Sequence, residues 1–335
     1  MIEMNGYDLV DVPKKMFNEL STSRIIKSYP QFILIEHEQK ALLGSIEISS
    51  INWNGSLRYY DNTSDFNKKN AAVIEETYDG CGDATFLTQD KFVVVGDKGA
   101  VEIFQIVQAT GKPQTLELQS LNSACYHDDS VYTVSAFSDS KSIVTGGLDC
   151  CIKIWDVESL IATHSYSFAH VNCITGTDVK PMCNSVFAST SLHGDALMWD
   201  IRKSEPAHCI LDRKQKCSSI SWNPVMDQYL AIGEDCGVIA LIDIRQPNEP
   251  VFELTVDNRS VWKVLFNPIR KDLLACCFDN TSVKVLHVSK DVQVIMEDNE
   301  HTDFVRGLAW YKDDLFSCAL DDNVIKRTVS FNDNK

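Results

Sequence analysis

His127, Asp128 and Asp129 stand side by side, and an imidazole next to carboxylates has the makings of a metal centre or an acid–base pair. Glu36-His37-Glu38 repeats the combination nearer the N-terminus, where it reads more simply as a solvated turn after a strand. Twelve cysteines form a third reserve of reactive groups. They contain no Cys-x-x-Cys pair, and no two fall near a histidine at zinc-ligand spacing. The doublets Cys150-Cys151 and Cys276-Cys277 sit in apolar runs, which points to buried, reduced thiols acting as small hydrophobes. No phosphate-binding glycine loop, H-E-x-x-H, G-x-S-x-G or calcium loop occurs, so neither a metal nor a cofactor is expected.

Which of these groups meet depends on the elements that carry them. The 335 residues suit two average domains or one large all-β barrel or propeller. With 44% hydrophobic residues the chain can bury a substantial core, yet it has no uncharged apolar run long enough to span a membrane. The first residues, MIEMNGYDLVDVPKK, are acidic and polar where a secretory signal would be basic and then apolar, so a cytoplasmic and nuclear location is expected. A formal charge of −16 disfavours nucleic acid and anionic membranes as partners and favours basic ones.

The organising feature is a repeat. "GGLDCCIKIWDVES" (146–159) returns as "SLHGDALMWDIRKS" (191–204), with Trp155-Asp156 and Trp199-Asp200 in register. Weaker copies place Tyr60, Phe104, Ile242, Leu286 and Arg327 at the same position, making seven copies of about 44 residues. Pro181, Pro224 and Pro268 recur on a similar period, each closing a short alternating apolar run. Within the third copy, residues 131–137, 142–146, 151–156 and 163–168 read as four short strands bounded by Ser, Asp and Gly.

Four strands per repeat with a Trp-Asp dipeptide resembles the WD40 family, which implies an all-β, seven-bladed WD40 β-propeller over residues 31–330. The last copy runs out before a fourth strand. The N-terminal arm, residues 1–30, is therefore expected to supply the closing outer strand, from "YDLVDV" (7–12) or "SRIIKSY" (23–29). The same resemblance implies a buried hydrogen-bonded staple in each blade, made here by His127, Thr145, Asp149 and Trp155. His301, Ser317 and Asp321 match in the last copy, where Arg327 replaces the tryptophan; in the fourth, His170 is present but His193 fills the aspartate position. On this reading His127 is structural and the His-Asp-Asp run is not a metal centre.

A propeller enzyme would need ionisable residues at the inner ends of several blades. The inner strands VYTVSAF, CSSISW, VWKVLF and FVRGLAW are instead mostly apolar with small hydroxyl residues, which favours a scaffold that is not an enzyme. "ALLGSIEISSINWNGSLRYYD", "GDKGAVEIFQI", "HDDSVYTVSAFSDSKSIVTGGLDCCIKIWD", "GEDCGVIALID" and "HTDFVRGLAW" are similar to methylosome WD-repeat subunits. That resemblance implies a non-catalytic partner of the type II protein arginine methyltransferase, in an assembly of four copies each. It also implies substrates with basic tails, such as Sm proteins and histones. The alternatives are another WD40 scaffold, of histone- or ubiquitin-ligase-adaptor type, or a propeller enzyme. In the family a tryptophan opening a W-x-G-S-L stretch anchors the partner, a role that falls on Trp53, beside Asn54 and Gly55. Asn-Gly is the preferred pair of a two-residue hairpin turn, so Trp53 is expected at a turn tip. Its counterparts in the other copies are Asp97, Leu148, Leu192, Asp235, Asp279 and Leu320, none of them aromatic.

Overall fold

A computed structural model describes residues 27–36, 40–48, 53–111, 115–247, 249–289 and 291–330. Its strands come in consecutive antiparallel groups, each a separate twisted sheet. Blade 1 comprises β1 (Lys27–Ile35), β2 (Ala41–Ile48), β3 (Trp53–Tyr60) and β4 (Val73–Thr77). Blade 2 is β5 (Cys81–Phe86), β6 (Lys91–Gly96), β7 (Ala100–Gln108) and β8 (Leu116–Cys125). Blade 3 is β9 (Val131–Ala136), β10 (Ser142–Gly147), β11 (Ile152–Asp156) and β12 (Ile161–Tyr166). Blade 4 is β13 (Ile174–Val179), β14 (Val186–Ser191), β15 (Asp195–Asp200) and β16 (His208–Asp212). Blade 5 is β17 (Cys217–Trp222), β18 (Tyr229–Glu234), β19 (Val238–Asp243) and β20 (Phe252–Thr255). Blade 6 is β21 (Val261–Phe266), β22 (Leu273–Phe278), β23 (Val283–His287) and β24 (Gln293–Asp298). Blade 7 has three described strands, β25 (Val305–Tyr311), β26 (Asp314–Ala319) and β27 (Val324–Thr328).

The second strand of each blade is covered on both faces by its neighbours, which is why it reads as a continuous apolar run. Lys91-Phe92-Val93-Val94-Val95-Gly96 is the clearest case, buried from Phe92 onward. Outer strands show the opposite pattern; β8 buries only Leu118. All seven repeat-marker positions, Tyr60 to Arg327, are buried on the third strand of their blades. Adjacent blades share cores: Phe137, Val144, Trp155's neighbour Ile154, Ile174, Phe187 and Trp199 form one cluster across blades 3 and 4. Ile33, Leu43 and Tyr60 meet Ala309, Phe316 and Cys318 across blades 1 and 7, so the ring is closed by apolar packing. Arg58, almost wholly buried, reinforces that seam by donating to Asp322 Oδ1 at 2.7 Å and to Ser28 Oγ.

Inner strands are joined by a second device. The N–H of Thr177 donates to Thr133 Oγ1, that of Val264 to Ser219 Oγ and that of Phe266 to Ser221 Oγ, at 3.0, 3.0 and 3.2 Å. Each hydroxyl reaches from one blade to the backbone of the next and satisfies a donor that its own sheet leaves open.

The structure departs from the sequence at several points. Asn54 and Gly55 are not a turn: the β2–β3 ladder continues through Gly55↔Ile46 and Asn54↔Glu47 to Trp53↔Ile48. Gly55 serves close approach instead, since a Cβ there would overlap the Asp79 carbonyl oxygen and Thr77 Oγ1 and lie 2.9 Å from Cys81 Sγ. Lys27–Tyr29, the end of one candidate closing segment, belong to β1 on the inner side of blade 1, which thus begins before residue 31. The rest of that segment and residues 7–12 lie outside the described residues. Glu36 is buried rather than solvated, and its N–H donates to Lys40 O at 2.8 Å; His37 and Glu38 are not described. The cysteines are all free, but only Cys81, Cys217, Cys276, Cys277 and Cys318 are buried. Burial pushes the Cys81, Cys217 and Cys277 thiols up to about 12. Cys150 instead occupies a turn with φ +59°, and Cys125, Cys209 and Cys236 are exposed.

Candidate partner-binding face

The predicted staple of blade 3 is complete. His127 Nδ1 lies 2.8 Å from Asp149 Oδ2, His127 Nε2 lies 2.8 Å from Thr145 Oγ1, and the Trp155 indole N–H donates to the same hydroxyl at 2.8 Å. One proton arrangement satisfies every atom: Nδ1–H donates to the carboxylate, the threonine hydroxyl donates to Nε2, and the indole donates to the hydroxyl oxygen. Burial pushes the Asp149 carboxyl up. The hydrogen bond from His127, with the N–H groups of Cys151 and Asp128, outweighs that and holds it below 3.8.

The staples of blades 4 and 7, which depart from the pattern at His193 and Arg327, are also assembled. In blade 4, His193 does not take the acid's place. Asp195 does, at 2.9 Å from His170 Nδ1, while Ser189 Oγ receives the Trp199 indole at 2.8 Å. Gly194, at φ +102°, makes the turn that brings the displaced aspartate into position. In blade 7, His301 joins Asp321 at 3.2 Å and Ser317 at 2.8 Å, and Arg327 donates to Ser317 Oγ at 2.7 Å where an indole would. Its other nitrogen reaches Asp298 Oδ1 at 2.6 Å, so the guanidinium is paired as a buried charge must be. Each staple thus ties the loop entering a blade to that blade's second and third strands, and Arg327 adds a link to blade 6.

Among the described residues the inner strands carry Asp83 on β5, Asp178 on β13 and Lys263 on β21, ionisable groups to which the apolar reading of those strands gave no role. Burial pushes Asp178 up to about 6, against the pull of the Trp222 and Val179 N–H groups. Its Oδ2 accepts from Trp222 N at 2.6 Å and its Oδ1 from Val179 N at 2.8 Å. Asp83 accepts from Val134 N at 3.2 Å and sits 3.7 Å from the Lys263 ammonium. These carboxylates do what the Ser and Thr hydroxyls do elsewhere, tying one inner strand to the next. The mouth of the channel at the end marked by Pro181, Pro224 and Pro268 is a cavity of about 460 Å³, walled mainly by Trp222, Phe266 and Trp310. Among the described residues no three His, Cys, Asp or Glu side chains converge to hold a metal ion.

The two faces of the disc differ. Turns between second and third strands, and the loops leading into each inner strand, share one face. There Trp53, Tyr78, Tyr126, Tyr132, Phe168, Trp262 and Phe304 are exposed. On the opposite face the exposed large apolar residues include Ile161, Met182, Val225, Val251 and Ile269, with no aromatic among those described. Tyrosine and tryptophan are the residue types that dominate protein interfaces. Trp53, 57% exposed, opens β3 at the point where blade 1's hairpin extends further than its sisters; Asp97, Leu148 and Leu192 sit in the turns of shorter hairpins. Opposite it on β2 is Ile48, itself 39% exposed. Tyr78, on the loop after β4, has the Lys98 ammonium 4.0 Å from its ring centroid, and Asp128 and Asp129 are exposed on the loop before β9.

Seven sheets around a channel, with Trp-Asp markers and His–Asp–hydroxyl staples, define a WD40-repeat propeller. In agreement, the family described as "WD domain, G-beta repeat" matches residues 119–156. The chain is 31% identical over 281 residues to the methylosome protein WDR77 of Xenopus laevis, an alignment covering 80% of this chain and 79% of that protein. It belongs to that family of methylosome WD-repeat proteins. More distant similarity reaches the histone acetyltransferase type B subunit 2 of Candida glabrata, 22% identical over 57% of this chain and 46% of that one. Subunit I of the Drosophila melanogaster eukaryotic translation initiation factor 3 is 28% identical over 49% of this chain and 55% of its own length.

Proposed function

We propose that this protein is a non-catalytic scaffold subunit of a methylosome, which binds the type II protein arginine methyltransferase through the face that carries Trp53 and helps present basic, arginine-rich substrates to it. The observation that carries the reading is Trp53: a half-exposed indole at the end of an extended hairpin, opposite Ile48 on β2. A side chain of that size has no internal reason to face water, and burying it against a partner contributes roughly 2 kcal/mol or more at an interface centre. Membership of the WDR77 family supports the choice of partner. The net charge of −16 supports substrates with cationic tails, Sm proteins and histones among them, because an acidic platform raises the local concentration of such tails. Four copies of each subunit and residence in both cytoplasm and nucleus are the corresponding proposals for assembly and location. The channel supports the non-catalytic part, since its carboxylates are occupied by backbone donors of neighbouring strands.

Trp53→Ala tests this. It should leave thermal unfolding of the isolated protein nearly unchanged while weakening association with the methyltransferase by about thirtyfold, as roughly 2 kcal/mol implies. Unchanged association, measured by calorimetry or surface binding, would sink the assignment of this face.

A further inference from the structure

The cavity on the face away from Trp53 has a construction that the docking of a methyltransferase leaves unused. Pro181, Pro224 and Pro268 stand just beyond the ends of β13, β17 and β21, and each is followed by an exposed apolar side chain: Met182, Val225 and Ile269. The turns behind this collar are held in place. Asn223 Nδ2 donates to Lys271 O at 2.8 Å and Asn267 Nδ2 to Lys312 O at 2.7 Å, each tying one turn to the next blade. Inside the collar, the volume of about 460 Å³ suits a ligand site. The polar atoms of its aromatic walls are engaged elsewhere: the Trp222 indole N–H donates to Asp227 O at 2.7 Å and that of Trp310 to Leu265 O at 3.1 Å. Among the described residues, the ionisable side chains lining the cavity are Asp178 and Lys263. Lys263 lies 3.7 Å from Asp83, so two carboxylates share one ammonium and the site is short of a cation. Asp178 is not wholly covered, and each of its oxygens has taken one backbone N–H and has room for a second donor.

We propose that this cavity binds a segment of a partner protein by one arginine side chain, which enters between Trp222, Phe266 and Trp310 to reach Asp178, while apolar residues on either side of it pack on Met182, Val225 and Ile269. A guanidinium suits both parts of the site. It stacks on aromatic rings, sheds its water more readily than an ammonium does, and presents a fork of donors to a carboxylate. The collar supplies the second half of the argument, because apolar side chains grouped in water around a pocket mark a contact surface. Prolines on the rim offer no N–H for strand pairing, so recognition there falls to side chains. The site opens on the face opposite Trp53 and does not rest on the methyltransferase reading. Burial holds Asp178 up at about 6; the charged groups facing it are Lys263 and, behind that, Asp83, while Lys180 at the rim is paired with Asp227 at 3.0 Å. Arginine meets the ionised carboxylate, so its affinity falls as pH drops through that value, and bound arginine in turn lowers it.

The probe is the peptide acetyl-Gly-Leu-Arg-Leu-Gly-amide, titrated calorimetrically into the full-length protein beside two controls in which citrulline or glutamate replaces the arginine. At neutral pH the arginine peptide should bind, the citrulline peptide about tenfold more weakly and the glutamate peptide more weakly still. The advantage of arginine over citrulline should disappear at about pH 5, and Asp178→Asn should erase it at neutral pH. Ser138→Trp, at an exposed position on the cavity wall, should block binding while leaving every charge in place. Should Asp178→Asn not fold, Ser138→Trp and the pH series carry the test. Absence of binding at about 5 mM peptide overturns the proposal, as does equal affinity for arginine and citrulline, which would make this an apolar groove only. Preference for the glutamate peptide would assign the site to an anion on Lys263, and undiminished binding to Ser138→Trp would place the arginine elsewhere on the acidic surface; either overturns it. Binding that appears only once residues 1–26 are removed also overturns it, since the occupant is then this chain's own segment. Trp53→Ala should leave peptide binding unchanged, so failure of the docking face and failure of this site are read separately.

Discussion

The indole of Trp155 and the carboxylate of Asp149 answer to different physics, although one hydroxyl and one imidazole join them. Trp155 is fully buried, so Trp155→Ala removes a large apolar volume and should cost about 3–5 kcal/mol. Asp149→Ala leaves the His127 ring and two backbone N–H groups short of an acceptor and should cost about 1–3 kcal/mol. Urea unfolding of the isolated protein ranks the two, and a smaller loss for Trp155→Ala would contradict this account. The staples also give the fold its acid sensitivity. Burial pushes His301 below 6.5, so the unfolded chain takes up that proton first, and stability drains away as pH falls from 6.5 through the folded value. Asp149 and Asp321 are held below 3.8; their contribution is present above that value and is lost as pH falls through their folded values. His301→Gln should therefore flatten the stability profile just below pH 6.5 while leaving the more acid limb in place.

Hairpin β2–β3 shows how an element can overrule a dipeptide. Asn-Gly is a strong turn signal because both residues tolerate positive φ, yet here the ladder carries both through in extended pairing. The demand on Gly55 comes from another blade element, the loop at Asp79, whose carbonyl oxygen occupies the space of a Cβ. Local sequence holds no record of that neighbour. Gly55→Ala should force the hairpin off the loop, lowering stability by about 1–3 kcal/mol. Thermal unfolding checks this; a variant as stable as the parent would show that the hairpin yields easily. The strands of blade 3, by contrast, were legible within about two residues, since alternation over a half-buried sheet is a property of each strand alone.

At the scale of the ring, stability is a sum of blades and the seams between them, and a closed ring has no free seam. Among the described residues β27 has no outer neighbour, so its edge N–H and C=O groups call for a fourth strand. The segment 7–12 is the proposed strand, and removing residues 1–26 tests it. The truncated chain should unfold at lower temperature and aggregate through the bare edge; full thermal stability would exclude a closing role for the arm. Much else about this protein was determined by its sequence alone: the period of the repeat, the number of blades, the third-strand markers and the first staple. A repeat imposes the same short-range pattern in every copy, and each copy needs only itself to display it. Tertiary structure alone decided that Asp195 replaces the missing staple acid, that Arg327 donates in place of an indole, and that channel carboxylates tie inner strands together. Each of these is a contact between turns or blades, set by how neighbouring sheets twist and pack, and no pattern within a single copy encodes it.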